Sequence, residues 1–266
     1  MGWPNNYAEY AYVSNGQVVG LIDPSDGGVL YINSELVIQS AIHTIIPSSG
    51  SISAVGALTL TTALPQIYSS CYMYFPANAV GAASAAGYYY VEMTTVSAGT
   101  VFLDTYTTGI PSIPTSKTSV TAGGGAYTQS ITVISNLLKI PIPANSMGRN
   151  GSIEISAFFQ HSNSAGLKHQ AVYFGAMKLL DLSPTTTVAS RYLLEAHNVG
   201  QTNIQCAGGN TDATAASPTI NSASSIATGS EETLNPVDLK IQGQLITAAT
   251  DFIILSFSRI TVRYGS

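Results

Sequence analysis

The side chains able to do acid–base, metal or thiol chemistry in this 266-residue chain are few, and their spacing brings few of them together. The four histidines, His43, His161, His169 and His197, are dispersed. His161 and His169 flank a predicted hairpin turn, where they could face each other and offer a metal ligand pair on an oligomer axis. Surface or hydrogen-bonded histidines without metal are the plainer reading. Glu231-Glu232 with Asp238 is the one local acidic cluster. A glycosidase pair must flank a bound sugar at a set separation. Adjacent glutamates diverge and no aromatic lies nearby, so the cluster reads as a solvated loop before the strand at Leu239. Cys71 and Cys206 have no Cys-x-x-Cys partner and read as buried thiols. The sequence contains no phosphate loop, zinc-helix or nucleophile-elbow motif. No catalytic, cofactor-binding or metal-ligating residue is therefore assigned, and a non-enzyme is expected.

Composition points toward assembly. Only 9% of residues are charged, against about 25% in an average soluble protein. So few charges protect a lone monomer poorly against association. The simplest account buries much of the outer surface in an oligomer or larger assembly, while a Ser/Thr-rich surface, polar without charge, is the alternative. No Lys or Arg precedes Lys117, and Glu9, Asp23, Asp26, Glu35, Glu92 and Asp104 give that part a formal charge of −6. Clustered cations, which a nucleic-acid surface needs, are missing, so direct nucleic-acid binding is not expected. No apolar run reaches the length of a membrane span. The start, Met-Gly-Trp-Pro-Asn-Asn-Tyr, lacks the basic and apolar regions of a secretion signal, so synthesis in the cytoplasm is expected.

The elements that would position these residues are strands. Residues 1–40 read as a short arm, with extended pieces at 17–22 and 28–32 around the turn-forming 23–28 segment. Trp3, Tyr7, Tyr10, Tyr12 and Tyr31 give this arm apolar surface out of proportion to its size. They are the candidate docking residues, unless they cover the base of the following domain within the same subunit. Residues 41–126 read as a first β domain, with strands at 55–62, 67–75, 87–94 and 101–106. In the Tyr88-Tyr89-Tyr90 run, strand geometry puts Tyr88 and Tyr90 on one face and Tyr89 on the other. That arrangement suits packing between a core and a subunit neighbour better than a sugar-stacking platform.

A Pro-rich piece at 110–115 and the Gly123-Gly124-Gly125 run read as an interdomain connection, or else as a long surface loop in one continuous sandwich. Residues 127–266 then form a second β domain, with strands near 130–142, 152–160, 169–176, 188–196, 201–207, 237–245 and 252–264. Seven or so antiparallel strands with Pro and Gly corners suggest a jelly-roll-like sandwich. Leu255 and Phe257 are out of phase with Ile260, Val262 and Tyr264, so a β-bulge is expected near Ser258-Arg259. Residues 207–230, rich in Ala, Ser, Thr, Gly and Asn, read as an outward loop or a strap to a neighbour.

The segment from Ile140 to Gly175 reads as strand, corner, strand, turn, strand. Pro141 and Pro143 end one run, Asn150-Gly151 turns, and Ile153, Ile155, Ala157 and Phe159 alternate on one face. The polar loop Ser162–Gly166 then returns the chain into Gln170–Phe174. Phe75-Pro76-Ala77-Asn78-Ala79-Val80-Gly81 echoes Ile142-Pro143-Ala144-Asn145-Ser146-Met147-Gly148. The echo marks either two equivalent corners or chance.

The Ile-Pro-Ala-Asn-Ser-Met-Gly corner, its strand, the Asn-Ser-Ala-Gly turn and the Phe-Gly ending resemble the C-terminal β domain of tailed-bacteriophage virion proteins. Residues 86–93, 98–101, 104–109 and 123–129 upstream, and 239–245 and 251–264 downstream, are similar to the same proteins. The resemblance covers roughly 55–266 and leaves 1–40 unmatched. It implies an all-β homotrimer on the exterior of a phage particle, assembled in the host cytoplasm. The expected role is a cement, head-fibre or decoration protein that contacts the major capsid protein or other virion proteins. The alternative is a receptor-binding tail fibre or tip that recognises a host surface glycan or receptor.

Overall fold

The computed structural model describes residues 10–14, 17–22, 29–32, 35–40, 42–129, 134–213, 219–220, 227–246 and 250–265; for 10–32, 209–213, 219–220 and 227 the description is of backbone alone. Every regular element among them is a strand. In chain order they are β1 (Tyr10–Ser14), β2 (Gln17–Ile22), β3 (Val29–Ile32), β4 (Glu35–Ser40), β5 (His43–Pro47), β6 (Ser49–Ile52), β7 (Ala57–Leu60), β8 (Cys71–Phe75), β9 (Gly87–Met93), β10 (Ala98–Tyr106) and β11 (Gly125–Thr128). There follow β12 (Ser135–Ile142), β13 (Ser152–His161), β14 (Lys168–Phe174), β15 (Met177–Leu182), β16 (Ala189–Asn198), β17 (Gln205–Ala213), β18 (Thr219–Ile220), β19 (Ala227–Gly229), β20 (Val237–Leu245) and β21 (Phe252–Arg263). Trp3 and Tyr7 lie outside the described residues. Tyr10, Tyr12 and Tyr31 fall in β1 and β3, where the side chains lie outside the description.

Seventeen strands form one large sheet, and β12, β20, β14 and β15 form a smaller one in that order. The long β21 organises the large sheet. On one side it pairs along its whole length with β13, which continues through β16 to β17. On the other side its first half pairs with β5 and its second half with β4. The change of partner coincides with a bulge: Phe158 sits opposite Phe257 and Phe159 opposite Leu255, leaving Ser256 as the extra residue. The realignment expected from the phase shift is present, two residues before its expected place.

From β5 the sheet continues through β8, β9, β10, β7 and β6 to β11. Only Ser48 separates β5 from β6 in the chain, so the ladder that leads from one to the other must curl back on itself. The curl encloses a core of Ile45, Ile52, Leu58, Met73, Phe75, Val91 and Val101, among others. A second, larger core lies between the smaller sheet and the inner face of β4, β13, β16 and β21. Ile153, Ile155, Ala157 and Phe159 point into it as their alternation required, each with no exposed surface. Hydrogen bonding crosses the position between residues 126 and 127, which lies inside β11, itself paired with β6. It also joins β4 to β21.

The two cores share strands. On β9, Tyr88 and Tyr90 belong to the larger core and Tyr89 to the curled one. The alternation is the one expected, but the neighbour on the second face is this chain's own sheet. The three tyrosines are 5%, 5% and 0% exposed within the single subunit. Rings of β8 and β10 surround them, with Tyr72 to Tyr90 at 5.5 Å and Phe75 to Tyr89 at 6.3 Å between centroids. Such pairs add about 0.5–1.5 kcal/mol each beyond area burial.

The glycine run at 123–125 is tightly placed. A Cβ on Gly123 would meet the Ser53 carbonyl oxygen at 1.9 Å, and one on Gly124 the Asn78 carbonyl oxygen at the same distance. Glycine serves close backbone approach there. The proline segment before it is also anchored, because the Tyr72 hydroxyl donates to the Ser112 carbonyl at 3.0 Å and the Tyr106 hydroxyl to that of Gly109 at 2.9 Å. Residues 207–230 are partly strand: Cys206 pairs with Thr228 and Asn210 with Ile220. Backbone ladders need no apolar side chains, which is why a segment poor in them still joins the sheet.

Candidate functional site

β13 runs between two buried polar networks, one at each end. At its C-terminal end β13 and β14 do not form the expected hairpin. Residues 162–167 instead carry the chain from the large sheet to the small one, so His161 and His169 do not face each other across a turn. The inward alternation of β14 buries Lys168 and Gln170 and leaves His169 on the opposite face.

Lys168 has no exposed surface. Its ammonium donates to the carbonyls of Ser164 (3.1 Å), Gly166 (2.7 Å) and Thr185 (2.5 Å) and to Ser164 Oγ (2.9 Å). One cation thus ties together the loops 162–167 and 183–188. Burial pushes its pKa down, and the nearby Asp251 carboxylate pushes it back up. Asp251, 3% exposed, accepts from Ser162 Oγ at 2.8 Å and from Ser164 Oγ. Its own N–H donates to Ser48 Oγ at 3.1 Å.

His161 stands beside this pair, 3% exposed. Its Nδ1 lies 3.2 Å from the Thr187 carbonyl, which can only accept, so the ring proton is assigned to Nδ1. Nε2 then accepts from the Gln170 side-chain amide, whose Oε1 accepts from the Tyr192 hydroxyl (2.6 Å) and Ser190 Oγ (3.3 Å). Burial, with Lys168 adding to it, lowers the imidazole pKa to about 4, so the ring is neutral at pH 7.

The contact between Ser164 Oγ and Lys168 has the residue types of a serine–lysine nucleophile pair. The same nitrogen also donates to three carbonyls, and in this geometry its donors, not a lone pair, face its neighbours. The network acts as a brace.

The network at the other end of β13 is uncharged at its centre. Asn198 Nδ2 donates to the Gly148 carbonyl (2.8 Å) and Thr233 Oγ1 (2.9 Å), and Gln205 Nε2 donates to Asn198 Oδ1 (2.8 Å) and the Glu231 carbonyl (2.9 Å). Over this brace stand Val199, Ile204 and Leu234, exposed by 54%, 45% and 51%. Glu231 and Glu232 are not merely solvated: Glu231 Oε1 accepts from the Ala176 N–H at 2.6 Å and Glu232 Oε1 from that of Leu234 at 3.2 Å. They cap turns and do not converge on a common point.

The remaining sequence candidates are scattered. His169 contacts Asp181 at 2.6 Å, and His197 contacts Glu195 at 3.1 Å. His43 packs edge-on to Tyr68 at 4.7 Å, with its pKa lowered by burial. Among the described residues no three His, Cys, Asp or Glu side chains form a metal-sized group. A shallow concavity lined by Ser40, Thr44, Leu138, Leu255 and Phe257 leaves no space for a water. Lys168, Asp251, Gln170 and Asn198 were not singled out by the sequence. The signal that could have flagged them is a Lys and a Gln on the inward phase of an otherwise apolar strand, Lys168-x-Gln170-x-Val172-x-Phe174.

No family model, no curated protein and no solved structure matches the chain.

Proposed function

We propose that this chain is a non-enzymatic structural protein of a bacteriophage particle, a homotrimer with a jelly-roll-like domain that decorates or cements the capsid exterior. The observation that carries the reading is the use made of its reactive side chains. Lys168, Asp251 and His161 are spent on bracing loops at one end of the sandwich, and Asn198, Gln205 and Glu231 on the other. A molecule that must hold its shape under load profits from such braces, while adhesion comes from surface buried between partners. The low charge of the chain and the resemblance of residues 55–266 to phage β domains point the same way. The test is to identify the chain in purified particles and place it by immunogold labelling. Label over the heads is expected, and absence from the particle overturns the reading. Sedimentation equilibrium is expected to give three times 27.7 kDa.

One observation favours a second reading, a receptor-binding tip. The exposed Val199, Ile204 and Leu234 sit on a rigid loop platform, the arrangement in which recognition loops are commonly held. Label confined to the tail tip, together with binding of the purified chain to host cells that a Val199→Asp/Leu234→Asp variant loses, would select it.

A further inference from the structure

The brace around Lys168 includes groups that change charge, and it ties two loops together. The described backbone hydrogen bonds to these loops are few: Ser162 N–H to Phe252 O at 3.4 Å, His161 N–H to Val188 O at 2.9 Å, Lys168 N–H to Pro184 O at 3.1 Å, and Ile246 N–H to Leu167 O at 2.9 Å. The side-chain links are more numerous, and apart from the Phe252 N–H to Ser162 Oγ at 3.2 Å and the Gly166 N–H to Ser164 Oγ at 3.1 Å, the principal ones end on Lys168, Asp251 or His161. Beneath the loops lie the ends of β20 and β21, with Leu245 of the larger core 3% and Phe252 of the curled core 6% exposed.

We propose that the His161–Gln170–Lys168–Asp251 cluster is an acid-sensitive latch: in its neutral-pH state it holds the loops 162–167 and 183–188 shut over the end of the larger core, and its protonation releases them. The titratable and charged groups facing His161 are Lys168 from β14, Asp251 at the start of β21 and the Tyr192 phenol from β16. The 183–188 loop faces it with carbonyls and hydroxyls only. His169 and Asp181 lie on the other face of the small sheet. A proton on Nε2 sets an N–H against the Gln170 amide donors and adds a second cation beside the Lys168 ammonium, in a site with a single carboxylate. The buried, Lys168-facing position that lowers the His161 pKa to about 4 keeps the latch closed at neutral pH. The latch is a property of the chain itself and does not depend on where the chain docks.

The experiment is hydrogen exchange of the full chain followed by mass spectrometry from pH 7 down to about pH 3, a unit below the His161 pKa, corrected for intrinsic exchange, beside an NMR titration of the His161 ring. Peptides covering 162–168 and 183–188 are expected to exchange at least tenfold faster at the acid end, with the midpoint of the His161 titration. Peptides covering β8 and β9 are expected to keep their protection. In His161→Gln, which keeps a hydrogen-bonding amide without a titrating ring, the transition is expected to move or vanish. Loops that stay protected until the whole fold is lost, or that open at a midpoint unrelated to His161, overturn the proposal. The wild-type comparison decides the matter even if the variant fails to fold.

Discussion

Asn78 and Asn145 adopt the same left-handed backbone, with φ of 66° and 59°, at the same position of two Pro-Ala-Asn corners. Among the described residues they are the non-glycine positions with positive φ. Each corner closes the same way, with the N–H after the asparagine donating to the proline carbonyl: Ala79 to Pro76 at 3.2 Å and Ser146 to Pro143 at 3.3 Å. Each is followed by a buried apolar side chain, Val80 or Met147. The destinations differ, since the first corner turns β8 back to pair with β9 while the second sends the chain from the small sheet to the large one. Asparagine tolerates this conformation and a β-branched residue does not. Asn145→Val is therefore expected to destabilise the chain by about 1–3 kcal/mol and Asn145→Gly to be close to neutral, measured by urea denaturation.

Replacing the buried cation should cost more than any surface change. Lys168→Met removes the shared donor of the Ser164, Gly166 and Thr185 carbonyls and leaves Asp251 without its counter-charge. Leaving a buried hydrogen-bond acceptor without its donor typically costs about 1–3 kcal/mol, and three carbonyls share this one. The urea midpoint should fall accordingly, while Lys178→Met, at an exposed ion pair with Asp181, should leave it nearly unchanged.

Stability should decline on the acid side. The unfolded His161 takes a proton near pH 6.5, and the folded one only near pH 4. Between these values the unfolded state binds more protons, so stability present above pH 6.5 is lost as pH falls toward 4. Its contribution is about 3 kcal/mol at about 1.4 kcal/mol per pH unit. Thermal melts between pH 7 and pH 4, repeated on His161→Gln, should isolate this share of the slope.

Two tyrosines should respond oppositely to loss of a hydroxyl. The Tyr88 hydroxyl is buried without a hydrogen-bond partner, whereas that of Tyr192 donates to Gln170 at 2.6 Å. Tyr88→Phe should be neutral or stabilising. Tyr192→Phe should cost about 1–2 kcal/mol. Equal effects of the two would contradict the assignment of these networks.

The two thiols should differ in reactivity. Cys71 is fully buried, donates weakly to the Val91 carbonyl at 3.7 Å and has its pKa pushed up by burial, while Cys206 is half-buried. A thiol reagent should modify one cysteine per folded chain, at position 206, and both after denaturation.

Much of the backbone was legible because its causes are local. The period-2 pattern of Ile153 to Phe159, the proline-ended strands, the repeated asparagine corner and the phase slip in β21 each follow from sterics within a few residues. The bulge came out two residues away, at Ser256, where the partner changes from β5 to β4; it aligns Leu255 with Ile260 but turns Phe257 to the opposite face, beside Phe158. The site was less legible. A lysine and a glutamine read as surface residues until the strand bearing them is seen to face a core, and the turn after His161 looks like a hairpin until β14 is found in the other sheet.

The sequence by itself determined that the chain would be strands with Pro-Ala-Asn corners, poor in charge, with Tyr88 and Tyr90 opposed to Tyr89. Only the tertiary structure decided which strands pair, that both faces of β9 are filled from within the chain, and that Lys168 is the buried cation joining two loops. The reason is physical: a backbone ladder carries no record of its partner's sequence, so pairing is chosen by non-local burial. The worth of a charged side chain is likewise set by the carbonyls and carboxylate that the finished fold brings around it.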